Sequence, residues 1–224
     1  MPNPELSHTS KSVEDYLKAI WLNARDGPVS NRTVAMSLGV SPSSVTGMLG
    51  KLDDLGLASY TRYNGAQLTP GGEQKALQLL RRYRLLETFL IQYFGYSCDQ
   101  VHSEAETLEH AISDLFTERL AIHLRHPTHD PHGDPIPSAD GTLPDTPNTP
   151  LTEVDSGNIL QVSRLLTQDT DILTYLAKLG IQPGQLVKVH ECESLGGLLH
   201  ITVKEEKTVI SRELATLVRG EVVT

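Results

Sequence analysis

The sequence predicts a mainly α-helical chain with small β parts: an N-terminal winged helix-turn-helix, a helical middle and a C-terminal β-barrel. Three observations carry this. Apolar residues recur at three and four over Val13–Ala24 and Leu77–Leu90, two short capped helices flank Gly39 and lead into an Asn-Gly hairpin, and strand-like alternation replaces the helical period after Gln185. The 224 residues, 38% hydrophobic and 21% charged, suffice for two or three small cores.

Val13, Tyr16, Leu17, Ile20, Trp21 and Ala24 define one buried face of a helix from Ser12, ended by Gly27 and Pro28. Asp15 lies in its first turn, where an aspartate commonly complements the helix dipole. Ser30 caps a short helix through Leu38, Gly39 turns the chain, and Ser41 with Pro42 starts another helix to about Leu55. Two short helices around a Gly turn form a helix-turn-helix. Val45, Met48, Leu49 and Leu52 point inward, leaving Ser43, Ser44, Thr46 and Lys51 outward. Small hydroxyl residues there allow close approach to phosphates and base edges. Strands on either side of Tyr63-Asn64-Gly65 form the wing, and Arg62 on it and Arg32 on the first short helix suit phosphate contact.

Thr69-Pro70 starts a long helix to about Tyr93, with Leu77, Leu80, Tyr83, Leu86 and Leu90 inward and Glu87 one turn from Tyr83. Val101–Leu120 then reads as a helix that sets Glu106, Glu109 and His110 on one face, with His102 within two turns. Carboxylates and imidazoles without thiolate suit manganese or ferrous iron. An acidic face of this kind is also what a solvated helix shows, and spacing alone leaves both readings open. The stretch Leu115–Leu124 continues this helix or restarts it. Long amphipathic helices after a winged helix suit a dimer interface, as symmetric half-sites require.

His126–Pro150, rich in Pro, Asp, Gly and Thr, reads as a linker in which His123, His126, His129 and His132 are scattered by Pro127 and Pro131. Ile159–Leu179 reads as one or two helices. Strands at Gln185–Val189, Leu198–Val203, Thr208–Ile210 and Val218–Val223, with turns at Pro183-Gly184, Gly196-Gly197 and Glu205-Glu206, predict a small SH3-like barrel. The expected boundaries are 1–72 for the winged helix, 73–126 for the helical domain, 127–150 for the linker and 151–224 for the barrel. SH3-like barrels can also hold Pro-rich segments, and the linker is one.

The net charge of −9 is unevenly spread. Residues 1–84 carry ten Lys/Arg against seven Asp/Glu, and the remainder nine against twenty-one. The basic part suits phosphate and the acidic part cations. Cys98 and Cys192 stand far apart without a CxxC pattern, so neither a disulfide framework nor a thiolate zinc site is expected. No apolar run reaches membrane-span length and no secretory signal is recognisable, so a cytoplasmic protein is expected.

Six stretches in this order resemble the diphtheria toxin repressor and manganese transport regulator family in its long form: EDYLKAIW, VSPSSVTGMLGKLDDLGL, LTPGGE, RLLETFL, VHSEAETLEH and PHGDPIP. The resemblance runs nearly end to end. It implies a homodimeric, DNA-binding transcriptional regulator of metal-homeostasis genes, repressor or activator, acting on a palindromic operator, with Mn(2+), or else Fe(2+), as cofactor. It also implies a primary metal site at Asp15, Glu106, Glu109 and His110, and an ancillary site at Glu87 and His102 with donors from Gln168 to Asp171. Asp15 and Glu106 stand where iron-responsive members carry methionine and cysteine, which favours a hard ion. Lys18 stands where manganese members can have a second-site glutamate. Tyr83 replaces a family histidine of the ancillary site, which is then weaker, differently built, or completed by Asp169 or Asp171. Two rivals are a winged-helix regulator of a small organic ligand and a metal-dependent hydrolase. No HExxH, nucleophile elbow or phosphate loop is present, so an enzyme is not expected.

Overall fold

The computed structural model describes residues 10–24, 27–192 and 197–223. The chain divides into one unit running to Arg82 with Ala139–Gly141, and another of Tyr83–Ser138 with the chain from Thr142 onward.

The first unit holds α1 (Lys11–Asn23), α2 (Asn31–Leu38), α3 (Pro42–Asp54), the hairpin β1 (Ala58–Thr61) and β2 (Gly65–Leu68), and the start of α4 (Pro70–Phe94). Ser30 and Ser41 accept from the backbone N–H groups of Thr33 and Ser44, so each short helix has its N-cap. Gly39 closes α2 in the left-handed region at φ 64°. Val13, Leu17, Ile20, Val34, Val45, Leu49 and Leu52 form one core beneath the helices. The hairpin pairs Ala58 with Leu68 and Thr61 with Gly65, and Val29 adds a bridge to Ala66. A β-carbon at Gly65 would stand 2.3 Å from the Val29 carbonyl oxygen, so only glycine allows that close pairing.

The second unit takes the rest of α4, then α5 (Cys98–Leu108) and α6 (Asp114–His123). Of the two readings open for Leu115–Leu124, a continued helix or a restarted one, the chain takes the second. Ser113 accepts from the Phe116 N–H and starts a new helix, while Ala111 N–H bonds back to Leu108 and closes the old one. Helical reading over Ile159–Leu179 needs correction. Ile159–Leu165 is strand β4, with Leu160, Val162 and Leu165 buried, and only Thr170–Lys178 is helix, α7. Asp169 separates the two by accepting from the Asp171 and Ile172 N–H groups.

With β3 (Thr149–Pro150), β5 (Leu186–Cys192), β6 (Leu198–Val203), β7 (Glu206–Ser211) and β8 (Val218–Val223), β4 makes a sheet in the order β3-β8-β4-β5-β6-β7. Its pairs are antiparallel, and α8 (Arg212–Leu217), absent from the sequence reading, precedes β8. The chain turns left-handed at Lys204 and Glu205 between β6 and β7, while Gly196 of the expected Gly-Gly turn lies outside the described residues. α5 and α7 are in contact, so the sheet domain is joined to the helical domain within this unit. No helix among the described residues is long and apolar enough to cross a membrane.

The Pro-rich segment behaves unlike an extended linker. Ile136, 3% exposed, joins the core of Tyr83, Leu86, Leu90, Val101 and Leu120. Arg84 is 1% exposed on α4, and its guanidinium lies 3.8 Å from both Asp130 and Asp134 and donates to the Pro135 carbonyl. Asp134 also bonds Arg164 of β4. Burial, then the charge of Asp134, pushes the Asp130 carboxyl well above the ordinary range, against the pull of Arg84. Gly133 sits at φ 83°, where a β-carbon would stand 1.9 Å from the Ser163 carbonyl oxygen of β4. Further on, Ser163 Oγ donates to Pro147 O at 2.6 Å and β3 pairs with β8, so the end of the segment lies along the sheet edge.

Replacing Arg84 by methionine leaves buried Asp130 without its cation, and is expected to destabilise this unit by about 3–5 kcal/mol. Adding Asp130→Asn should recover part of that loss. Urea unfolding of the full chain measures both.

Candidate metal centre and nucleic-acid interface

On α5 the inward positions Val101 and Ala105 are fully buried, and Glu109 follows Ala105 by one turn. That register forces a carboxylate inward. Glu109 is 1% exposed, caps the C-terminus of α5, and its Oε1 lies 3.6 Å from Nε2 of His110, whose side chain is 10% exposed. A helix C-terminus carries partial negative charge, so a carboxylate beside an imidazole there is a set of donors suited to a cation.

One turn earlier α5 presents a second cluster. His102 Nε2 lies 3.5 Å from Glu106 Oε1, and its Nδ1 lies 3.9 Å from Glu87 Oε1. The Glu106 side chain is 49% exposed and meets His102 four residues before it. Tyr83, 1% exposed on α4, stands between the other two. Its hydroxyl donates to Glu87 Oε1 at 2.5 Å and lies 2.5 Å from His102 Nδ1, with the rings edge-on at 5.7 Å. Burial first, then the charge of and hydrogen bond to Glu87, push the Tyr83 phenol far above its ordinary range, so it stays a neutral donor.

Tyr83, Glu87 and His102 line a pocket with Gln168, His132 and Asp134. Of the ancillary donors expected between Gln168 and Asp171, Gln168 lines this pocket. Asp171 is exposed and does not line the pocket, and the Asp169 carboxylate is engaged in capping α7. Sequence reasoning missed His132 and Asp134. The signal was PHGDPIP, whose prolines read as helix breakers and whose buried Gly133 and Asp134 had no visible partner in sequence. The other linker-region histidines have different surroundings: His123 packs at 4.8 Å on Tyr93, His126 is exposed, and His129 bonds Thr146 at 2.8 Å.

Asp15 lies on α1 of the first unit and is partly exposed, while Lys18 on the same helix is 7% exposed. On the winged helix, Arg32, Ser41, Pro42, Ser43, Ser44, Thr46, Lys51 and Arg62 are all exposed. Ser41 has a capping task, and its hydroxyl also lies 2.9 Å from those of Ser43 and Ser44. Asn31 Nδ2 donates to Thr46 Oγ1 at 3.0 Å and to the Tyr60 hydroxyl at 3.2 Å, tying α2, α3 and the wing together. Asn31, Thr46, Tyr60, Arg62 and Tyr63 line an open groove of about 320 Å3. Arg62 stacks 5.2 Å from the centre of the Tyr63 ring, which is 93% exposed at the wing tip.

Comparison with known proteins covers the whole arrangement. Residues 8–66 match the iron-dependent repressor N-terminal DNA-binding domain, 69–138 its metal-binding and dimerisation domain, and 149–222 the FeoA domain. The chain is 30% identical to the iron-dependent repressor IdeR of Mycobacterium tuberculosis (strain ATCC 25618 / H37Rv), over 94% of this chain and 96% of that one. It is 37% identical to the HTH-type transcriptional regulator MntR of Lysinibacillus sphaericus (strain C3-41), over 54% of this chain and 82% of that one. A solved manganese-dependent transcriptional repressor in complex with manganese superposes with a TM-score of 0.88 at 34% identity, covering 94% of this chain and all of that chain. With three domain matches in series and a 30% identical relative spanned almost completely, the chain belongs to the iron-dependent repressor family, which includes the diphtheria toxin repressor and MntR.

Proposed function

We propose that this chain is a homodimeric transcriptional repressor of metal-homeostasis genes whose binding to a palindromic operator answers to manganese or ferrous iron. The observation that carries it is the buried Glu109 beside half-buried His110 at the negative pole of α5, within the stretch matched by the metal-binding and dimerisation domain. Asp15 and Glu106 complete the ligand set, an all-oxygen and nitrogen selection that favours a hard divalent ion. Relatives named as iron-dependent and manganese-dependent repressors support both metals as candidates.

Asp15, Glu106 and Glu109 are like charges, and gathering them at one site costs energy. A bound divalent cation supplies the opposite charge that offsets this repulsion. Asp15 belongs to the helix that leads into α2 and α3, so its engagement orients the recognition helix. In a dimer that sets the spacing of two recognition helices against two half-sites. The bonds of Asn31 to Thr46 and Tyr60 hold recognition helix and wing as one body, which lets one ligand act on both. Ser43, Ser44 and Thr46 approach base edges, while Arg32, Lys51 and Arg62 meet phosphates.

Fluorescence anisotropy on the protein's own upstream DNA, run anaerobically at fixed salt with manganese, ferrous iron, zinc or no metal, checks this reading. Manganese or iron should raise affinity about tenfold or more, about 1.4 kcal/mol of coupling. Asp15→Ala and Glu109→Gln should each abolish the increase while preserving the circular dichroism spectrum. Affinity indifferent to metal would favour a regulator of a small organic ligand, and full activation in Asp15→Ala would sink the proposed switch. In the same assay, Arg62→Ala should weaken binding across sequences alike and lower the salt slope by about one.

A further inference from the structure

We propose that the pocket lined by Tyr83, Glu87, His102, His132, Asp134 and Gln168 is closed to a divalent cation by the Tyr83 hydroxyl, and that it works as a metal-free clamp between α4 and α5. The proposal refines the metal reading above by removing one of the two sites that the family resemblance implies.

Three observations support it. The Tyr83 oxygen lies 2.5 Å from one oxygen of Glu87 and 2.5 Å from Nδ1 of His102, so the two donor atoms a cation would need are already joined through it. With its proton given to Glu87, the phenol oxygen accepts from the His102 Nδ1–H, which orients that nitrogen as a donor rather than a ligand. The ring is 1% exposed and sits in the same core as Leu86, Leu90, Val101 and Ala105, so it cannot swing aside without opening that core.

Space and ligand number agree. A manganese-type ion takes about six ligands, and those the protein does not supply must be water. The pocket's cavity volume is about 10 Å3, close to the minimum for one water. Among the described residues, no three carboxylate or imidazole donor atoms converge around Glu87 and His102. A cation entering here would have to displace the hydroxyl and still find four further ligands.

Tyr83 is thus a positioning residue. It holds Glu87 of α4 against His102 of α5 as a bound ion would, but regardless of metal supply. His102 in turn meets Glu106, so the clamp reaches one of the ligands proposed for the primary site.

The test is the amount of manganese bound per protomer, measured on the full chain by native mass spectrometry and by equilibrium dialysis with elemental analysis. Wild type and Glu87→Gln should bind equal amounts, Glu109→Gln should bind less, and Tyr83→His should bind one equivalent more than wild type. The extra equivalent should vanish in Tyr83→His combined with Glu87→Gln. Tyr83→Phe, followed by circular dichroism and thermal unfolding, checks that packing survives without the hydroxyl. If Glu87→Gln binds one equivalent less than wild type, the pocket takes a cation and the proposal falls. If Tyr83→His gains nothing, the hydroxyl is not what excludes the ion, and the proposal falls equally. Wild type binding no manganese while Tyr83→His binds one would overturn the metal-responsive reading and leave the closure of this pocket standing.

Discussion

Burial of the Arg84 guanidinium is the constraint on which the second unit depends. A cation at 1% exposure is tolerable only if its charge is countered, and the groups that counter it, the Asp130 and Asp134 carboxylates at 3.8 Å and the Pro135 carbonyl, come from one short stretch, Asp130 to Pro135. Asp130 has a second task. Its Oδ1 accepts from the N–H groups of both His132 and Asp134, at 2.9 Å each, and so closes the turn that carries them. Such a cluster adds little net stability over a well-packed apolar one, since two carboxylates and a guanidinium are desolvated together. What it fixes is register: the direction in which His132 and Asp134 face, and the contact of Asp134 with Arg164 on the sheet.

The two donor clusters on α5 show how one turn of helix separates different chemistries. In both, a glutamate more than nine-tenths buried lies within 4 Å of a histidine. At Glu87 and His102 a phenol stands between them and answers the carboxylate with a neutral O–H. At Glu109 and His110 the pair sits at the end of the helix, where the dipole adds negative potential and a positive charge is the favourable complement. Residue type alone does not separate these cases, because both are Glu and His. Position on the helix and the residue opposite do.

Much of this was legible in the sequence, and the failures have physical causes. Local rules suffice for the winged helix: Ser30, Gly39, Ser41 and Pro42 act on neighbours within four residues, and all four stand where capping rules put them. The break after Leu108 could not be placed from sequence, since Glu109 to Ser113 continues an acceptable helical pattern; the Ala111 N–H turning back to Leu108 and the Ser113 hydroxyl capping the next helix at the Phe116 N–H set it. Ile159–Leu165 was read as helical because short apolar runs fit either period; pairing with β5 and β8 decides the matter, and those partners lie far along the chain. The Pro-rich segment looked extended because its apolar content is low. Its order comes from Arg84, roughly fifty residues earlier, whose burial no local pattern announces.

Magnitudes bear on whether one cation site per protomer can run a switch. An exposed ion pair contributes about 0–1 kcal/mol and cannot shift a strongly biased equilibrium. Moving a population from 1:99 to 99:1 takes about 5.5 kcal/mol. An ion present at 100 times its dissociation constant, bound only by the competent form, contributes about 2.7 kcal/mol, and so about 5.4 kcal/mol over the two protomers of a dimer. A dimer with one cation site in each half therefore reaches the required scale without a second. A hydrogen-bonded phenol in place of the ancillary ion then costs the regulator little range, and it makes the seam between α4 and α5 independent of the metal being sensed. Sensitivity is then left to the primary ligands proposed above, Asp15, Glu106, Glu109 and His110, a set rich in like charge in which a cation would have most to offset.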